Sequence, residues 1–218
     1  MTTWLTRIIP DPRSRDARRD TAGAVDLHHR MMSLFPDHVA ADQPRRRLGV
    51  LFRTDPTPAG DRILLQSAER PDLDRLPTGY GHAVTKPLTP LLDALRPGLN
   101  IRYRIAANPI RKPGRATREL YRLKAVVPLQ GVAADDWWAR QAKSSGLDLG
   151  TLHSSPLEAA KGHRRSDQRP VKHDRVLFEG TAVITDPDLL RTRLTEGIGK
   201  GKAYGCGLLS IAPHRGPR

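Results

Sequence analysis

Asn100-Ile-Arg-Tyr-Arg-Ile-Ala-Ala107 is the stretch on which the fold turns. Ile101, Tyr103 and Ile105 alternate with Arg102 and Arg104, so an extended chain sends the apolar trio to one face and the arginines to the other. Working back toward the N-terminus, residues 90–95 predict a short helix stopped by Pro97-Gly98. Residues 47–53 and 63–67 predict two strands with a Pro/Gly-rich turn between them. Residues 22–35 predict a helix, because Ala24, Leu27, Met31 and Leu34 recur at helical spacing and Pro36 ends the run. Residues 11–20 are polar and contain proline, which predicts a loop, and residues 3–9 predict a first strand. With 100–107 as the closing strand, the order is β-α-β-β-α-β, the ferredoxin-like arrangement.

The second half repeats that order more faintly. Strands are predicted at 120–127, 147–152, 176–184 and 207–212. Helices are predicted at 135–144, with Trp137 and Trp138 near its start, and from Asp186-Pro187 through 194, where proline suits the first turn. The duplication lies in element order and not in sequence. The expected fold is therefore α+β: two tandem ferredoxin-like (RRM-like) βαββαβ domains, residues 1–110 and 111–218, ending in a glycine-rich loop. Residues 160–175 interrupt the second half with six Lys/Arg, two Asp and no apolar periodicity, which predicts a projecting arm or hairpin.

Charge narrows the function. The 218 residues carry 37 Lys plus Arg against 23 Asp plus Glu, a formal net charge of +14, which favours a polyanionic partner. Residues 96–124 hold nine Lys/Arg and one acid, with Arg111 and Lys112 following the two strand arginines. Structured RNA is read largely through phosphates, shape and 2′-hydroxyls, work that suits such residues. Aromatic residues make up only 5%, so base stacking on a sheet is poorly supplied. No apolar run is long enough to span a bilayer, the first residues lack a signal peptide's pattern, and the single cysteine, Cys206, permits no internal disulfide; a reducing cytoplasm and no membrane partner are expected.

Two motifs carry chemistry. Gly197-Ile-Gly199-Lys-Gly201-Lys-Ala-Tyr-Gly205-Cys-Gly207 places five glycines in eleven residues with Lys200 and Lys202 interleaved. Backbone N–H groups in such a loop can form an anion-binding concavity to which the lysines add charge. Its position at the chain's end and its spacing exclude the dinucleotide and P-loop motifs. On the first helix, at about 100° per residue, His28 lies at the edge of the Leu27/Met31/Leu34 stripe and His29 points away from it. A border histidine suits proton transfer near neutrality. The same residues read equally as a border histidine with no chemical task. His153, His163, His173 and His214 form no spaced set of metal ligands, and none is expected.

These segments resemble one family. Residues 196–213, together with Leu27-His-His-Arg-Met-Met-Ser-Leu-Phe-Pro36, Leu64-Leu-Gln-Ser67, Arg102-Tyr-Arg-Ile-Ala-Ala-Asn-Pro109 and Leu177-Phe-Glu-Gly180, look like the CasE-type endoribonucleases of type I-E CRISPR systems, within the RAMP superfamily. The resemblance runs over nearly the whole chain. It implies binding of the repeat stem-loop of precursor CRISPR RNA and one cut at its 3′ base by attack of a ribose 2′-OH. It also implies no metal or other cofactor, and retention in the multisubunit interference complex. The family's catalytic histidine aligns with His28. Arg102, Arg104, Arg111, Lys112, Lys200, Lys202 and glycines Gly197, Gly199, Gly201, Gly205 and Gly207 are the expected RNA contacts. Some members carry a tyrosine three residues before the histidine; here that position is Val25. The competing reading is an RNA-hairpin-binding subunit of similar fold that does not cut.

Overall fold

The computed structural model describes residues 2–36, 44–122, 124–163 and 168–214. Strand β1 (Trp4–Pro10) is followed by α1 (Arg15–Ala22), α2 (Ala24–Met32), α3 (Pro44–Arg47), β2 (Leu51–Thr57), β3 (Gly60–Ser67), β4 (Gly81–Pro87) and α4 (Thr89–Asp93). Then come β5 (Asn100–Ala107), β6 (Ile110–Arg111), α5 (Arg115–Leu120), β7 (Val127–Pro128), α6 (Val132–Lys143) and β8 (Leu147–Leu149). The chain continues through β9 (His153–His163), β10 (Pro170–Ile184), α7 (Pro187–Glu196) and β11 (Leu209–Pro213).

Two antiparallel sheets form the frame. The first runs β2-β3-β1-β4 and the second β11-β5-β10-β8. With β9 set aside, since it pairs β10 off the main strand path, both sheets read 2-3-1-4 in chain order, so the tandem ferredoxin-like expectation holds at the level of topology.

The membership of β5 differs from the expectation. It pairs β10 along its whole length and β11 on its other edge, so it opens the second sheet instead of closing the first. The first sheet closes with β4, which pairs β1 from Trp4 opposite Pro87 to Pro10 opposite Gly81. Helix α4 follows that strand, and its Leu92, with Leu95 beyond it, packs into the second core. The helical slot between β3 and β4 holds only a single 3-10 turn, Leu73–Arg75. A division at 110/111 would separate β5 from both of its partner strands. The physical reason is Trp138: the apolar face of β5 packs there, with Tyr103 and Trp138 ring centres 5.5 Å apart and Phe178 stacked beyond at 5.7 Å. Alternation shows that a strand has an apolar face but not which core receives it.

Three smaller expectations also shift. Residues 15–22 are helical and not loop, because Ser14 accepts a hydrogen bond from the Ala17 N–H at the start of α1. Residues 44–47 form helix α3 ahead of β2. Among the described residues of 120–127 only Val127 is in a strand, and α5 ends at Leu120. The polar insertion is a hairpin of β9 and β10, in keeping with its composition; its tip, residues 164–167, lies outside the described residues.

The seam between the halves is polar. Arg53 and Asp55, each 2% exposed, form an ion pair at 2.7 Å. Arg53 also donates to the carbonyls of Arg104 at 3.0 Å and Leu208 at 3.2 Å and to the Ser210 hydroxyl at 3.1 Å. Gln66 donates to the Leu194 carbonyl at 2.7 Å. Buried charge survives where every hydrogen-bonding group finds a partner, and this geometry locks the orientation of the second sheet against the first.

A candidate RNA-cleavage site at the glycine-rich loop

Helix α2 presents His28 to the C-terminal loop. Leu27 and Met31 anchor one side of the helix in the first core, which leaves His28 half-buried at the border and His29 exposed. The His28 ring meets Tyr204 edge-on, ring centres 6.1 Å apart. Burial first, then the charges of His29 and Arg45, push its pKa down to about 4. The ring is therefore neutral at pH 7 and competent to accept a proton.

Cationic groups flank that ring. Arg45, from α3, acts on His28 and also on Lys202, from the loop. Burial and the Arg45 charge together lower the lysine's pKa, and its ammonium donates to the Glu196 carbonyl at 2.7 Å. Tyr204 also stacks on His173, ring centres 5.2 Å apart, and the Asn108 amide lies 2.9 Å from His173 Nδ1. Beside this group a cleft of about 600 Å³ runs from Tyr204 and Gly205 to the start of α2 and the outer strand β9.

The five loop glycines divide by task. Gly207 has φ of +88°, and a Cβ there would lie 2.6 Å from the Ile198 carbonyl oxygen. Ile198 donates to the Gly207 carbonyl at 2.9 Å, so this glycine closes the loop. Gly197 packs on Leu51 and Gly199 on Trp137. Gly201 sits against the His173 ring and Gly205 near Phe52 and Arg175, so these two border the candidate site.

The basic residues also separate. Lys200 lies beside Lys112, whose neighbouring ammonium lowers its pKa, and its backbone bridges to Asn108. Arg111 is exposed on the same link. Arg104 faces the seam, in ion pairs with Glu179 at 3.2 Å and Asp55 at 3.6 Å. Exposed Arg102 contacts His214 on the same sheet face. The structure thus gathers His28, Lys202, Gly201 and Gly205, sets Lys112 and Lys200 together nearby, and leaves Arg102 and Arg104 in a different cleft.

Four residues join the site that the sequence does not single out for it. Arg45 is visible there only as part of the run Arg45-Arg46-Arg47, and Tyr204 only as one residue of the glycine loop. Asn108 falls within a family-like segment, and His173 figures only among histidines without metal-ligand spacing. Val25 is informative too: a Cβ on Gly162 would lie 2.7 Å from Val25 Cγ2, so β9 covers the position where some CasE-type chains carry tyrosine.

Comparison with known proteins identifies the family. The family described as CRISPR associated protein matches residues 3–213. The CRISPR-associated endoribonuclease Cse3 of Thermus thermophilus is 32% identical, covering 96% of this chain and 100% of its own. The CRISPR system Cascade subunit CasE of Escherichia coli is 28% identical, covering 90% and 96% respectively. The structure of Thermus thermophilus Cse3 bound to an RNA representing a pre-cleavage complex matches with a TM-score of 0.79 at 30% identity, covering 98% of this chain and 100% of the other. The extent of these matches, over both sheets and the loop between α7 and β11, places the chain in the CRISPR-associated protein family, among the endoribonucleases of the Cse3/CasE type.

Proposed function

We propose that this protein binds the repeat hairpin of precursor CRISPR RNA, cleaves it once at its 3′ base, and stays with the product in the interference complex. The single observation that carries cleavage is the neutral His28 set against the glycine loop. The ribose 2′-OH attacks the adjacent phosphate, its proton passes to His28, and the products are a 2′,3′-cyclic phosphate and a 5′-OH. Arg45 and Lys202 supply positive charge where the pentacoordinate phosphate gains negative charge. Lys112, Lys200 and Arg111 grip the RNA backbone, while Gly201 and Gly205 admit it close to the loop. Arg102 contributes from the seam side, and Arg104 holds the seam more than it holds RNA, given its ion pairs. The reaction proceeds through protein groups and the ribose without a metal. Its place of action is the cytoplasm, where its RNA is made. Among the described residues no helix is long and apolar enough to cross a membrane. The two sheets support a chain of two domains, with β5 belonging by its pairing to the second sheet.

The test uses labelled repeat RNA in EDTA. Wild-type protein yields one cut with a cyclic phosphate end, and RNA with 2′-deoxyribose at the cleavage nucleotide binds and stays whole. His28→Ala loses cutting by about 100-fold or more and keeps binding, while His29→Ala retains most of its cutting. Equal cutting by the two variants refutes the role given to His28. Retention of intact hairpin by wild-type protein establishes the non-cleaving alternative.

A further inference from the structure

Cleavage by 2′-OH attack moves two protons. One leaves the nucleophile, and one reaches the departing 5′-oxygen. His28 accounts for the first, and the position where some relatives carry a tyrosine is Val25, covered here by β9. Building on the cleavage proposed above, we infer that His173, on the hairpin strand β10, is the second proton-transfer residue, the general acid that protonates the 5′-oxygen.

Four observations converge on this residue. The β9–β10 ladder slips register between His173 and Arg175, and such a bulge re-aims the side chain beside it. The re-aimed ring stacks on Tyr204, the same ring that His28 meets edge-on, so both imidazoles bear on one loop residue. Asn108, 5% exposed, sets its amide nitrogen 2.9 Å from Nδ1 of the neutral ring; when the ring is protonated the amide turns its oxygen to accept from Nδ1–H, and Nε2 is the nitrogen left to meet a ligand. A proton-transfer group oriented by a third side chain is the arrangement expected of a catalytic imidazole. Finally, the ring lies against Gly201, where the absence of a Cβ leaves room at the loop.

The two histidines share burial as the leading influence and differ in the charges beside them. Every charge named around His28 opposes a positive ring. At His173 burial outweighs the charge of Asp174, so the pKa of the free protein is lowered there too, and it is the negative charge of a bound phosphate that favours the positive ring. The O2′–P bond forms as the 2′-OH proton passes to His28. The P–O5′ bond breaks as the 5′-oxygen takes a proton from His173.

The experiment replaces the bridging 5′-oxygen at the cleavage site with sulfur, whose thiolate departs without protonation. His173→Gln, which keeps an amide within reach of Asn108, is compared with wild type and His28→Ala in single-turnover cleavage, with hairpin affinity and thermal unfolding measured alongside. On native RNA His173→Gln cuts about 100-fold or more slowly with unchanged affinity. On the 5′-thio RNA its rate returns to within about threefold of wild type, while His28→Ala stays slow. Wild-type rates for His173→Gln on native RNA overturn the inference and leave the cleavage reading standing. So does a defect that persists in full on the thio substrate, or one that tracks lost affinity or folding. A wild-type protein that binds without cutting overturns both.

Discussion

Lowering the pH tests the central claim about His28 quantitatively. An ordinary histidine, with a pKa near 6.5, is only about 3% neutral at pH 5. A ring whose pKa is pushed down to about 4 by burial, His29 and Arg45 is about 90% neutral there. If His28 is the general base, the two cases differ by about 30-fold in the active fraction at pH 5. The assay is kcat/KM for hairpin cleavage from pH 4 to 8 at constant ionic strength, since that parameter reports groups in the free protein. The groups facing His28 from the packed elements are His29 on α2, Arg45 on α3 and Tyr204 in the loop. The expected profile has its acid-side limb centred near pH 4. A limb centred at 6.5, with activity at pH 5 down by about 30-fold, refutes the buried, neutral histidine. Stability carries the same signature. Above pH 6.5 neither folded nor unfolded His28 binds a proton. Between 6.5 and 4 only the unfolded chain does, so stability falls as pH falls, by roughly 3 kcal/mol across that window.

Two further perturbations probe the seam and the grip. Burial pushes the Asp55 carboxyl up, but the hydrogen bond from Arg53 and the charges of Arg53, Arg104 and Arg62 outweigh it and hold the pKa below the ordinary carboxylate range. Asp55→Ala leaves the Arg53 charge buried without its counter-ion and is expected to lower stability by about 3–5 kcal/mol in urea unfolding, a loss under about 1 kcal/mol contradicting the seam's role. Lys112→Gln and Lys200→Gln are expected to weaken hairpin binding and to reduce the slope of log affinity against log salt by about 1 for each phosphate no longer neutralised, read by filter binding at several salt concentrations. An unchanged slope removes both lysines from the interface.

More of the loop geometry and of the histidine's place on its helix than of the pairing of β5 was legible in the sequence. Gly207 illustrates why the loop was legible: a positive φ and a carbonyl 2.6 Å from any Cβ leave only glycine, so the constraint is written at that position. His28 was legible for a similar reason, since its place beside Leu27 and Met31 follows from helical spacing. The pairing of β5 was not. The alternation of β5 is satisfied by any core, and β4, with intermediate and exposed positions along Gly81–Pro87, carries little apolar signal to announce it.

By itself the sequence determined the fold class, the polyanionic partner, the glycine loop and the histidine on its helix, because each depends on local spacing, composition or backbone freedom. Only the tertiary structure decided that β5 belongs to the second sheet, that Arg104 is engaged at the seam, and that Tyr204 draws His28 and His173 together. Those outcomes depend on contacts between residues far beyond the reach of any local pattern. Which surfaces meet is settled by packing and the satisfaction of buried charge across the whole molecule, and no local pattern records it.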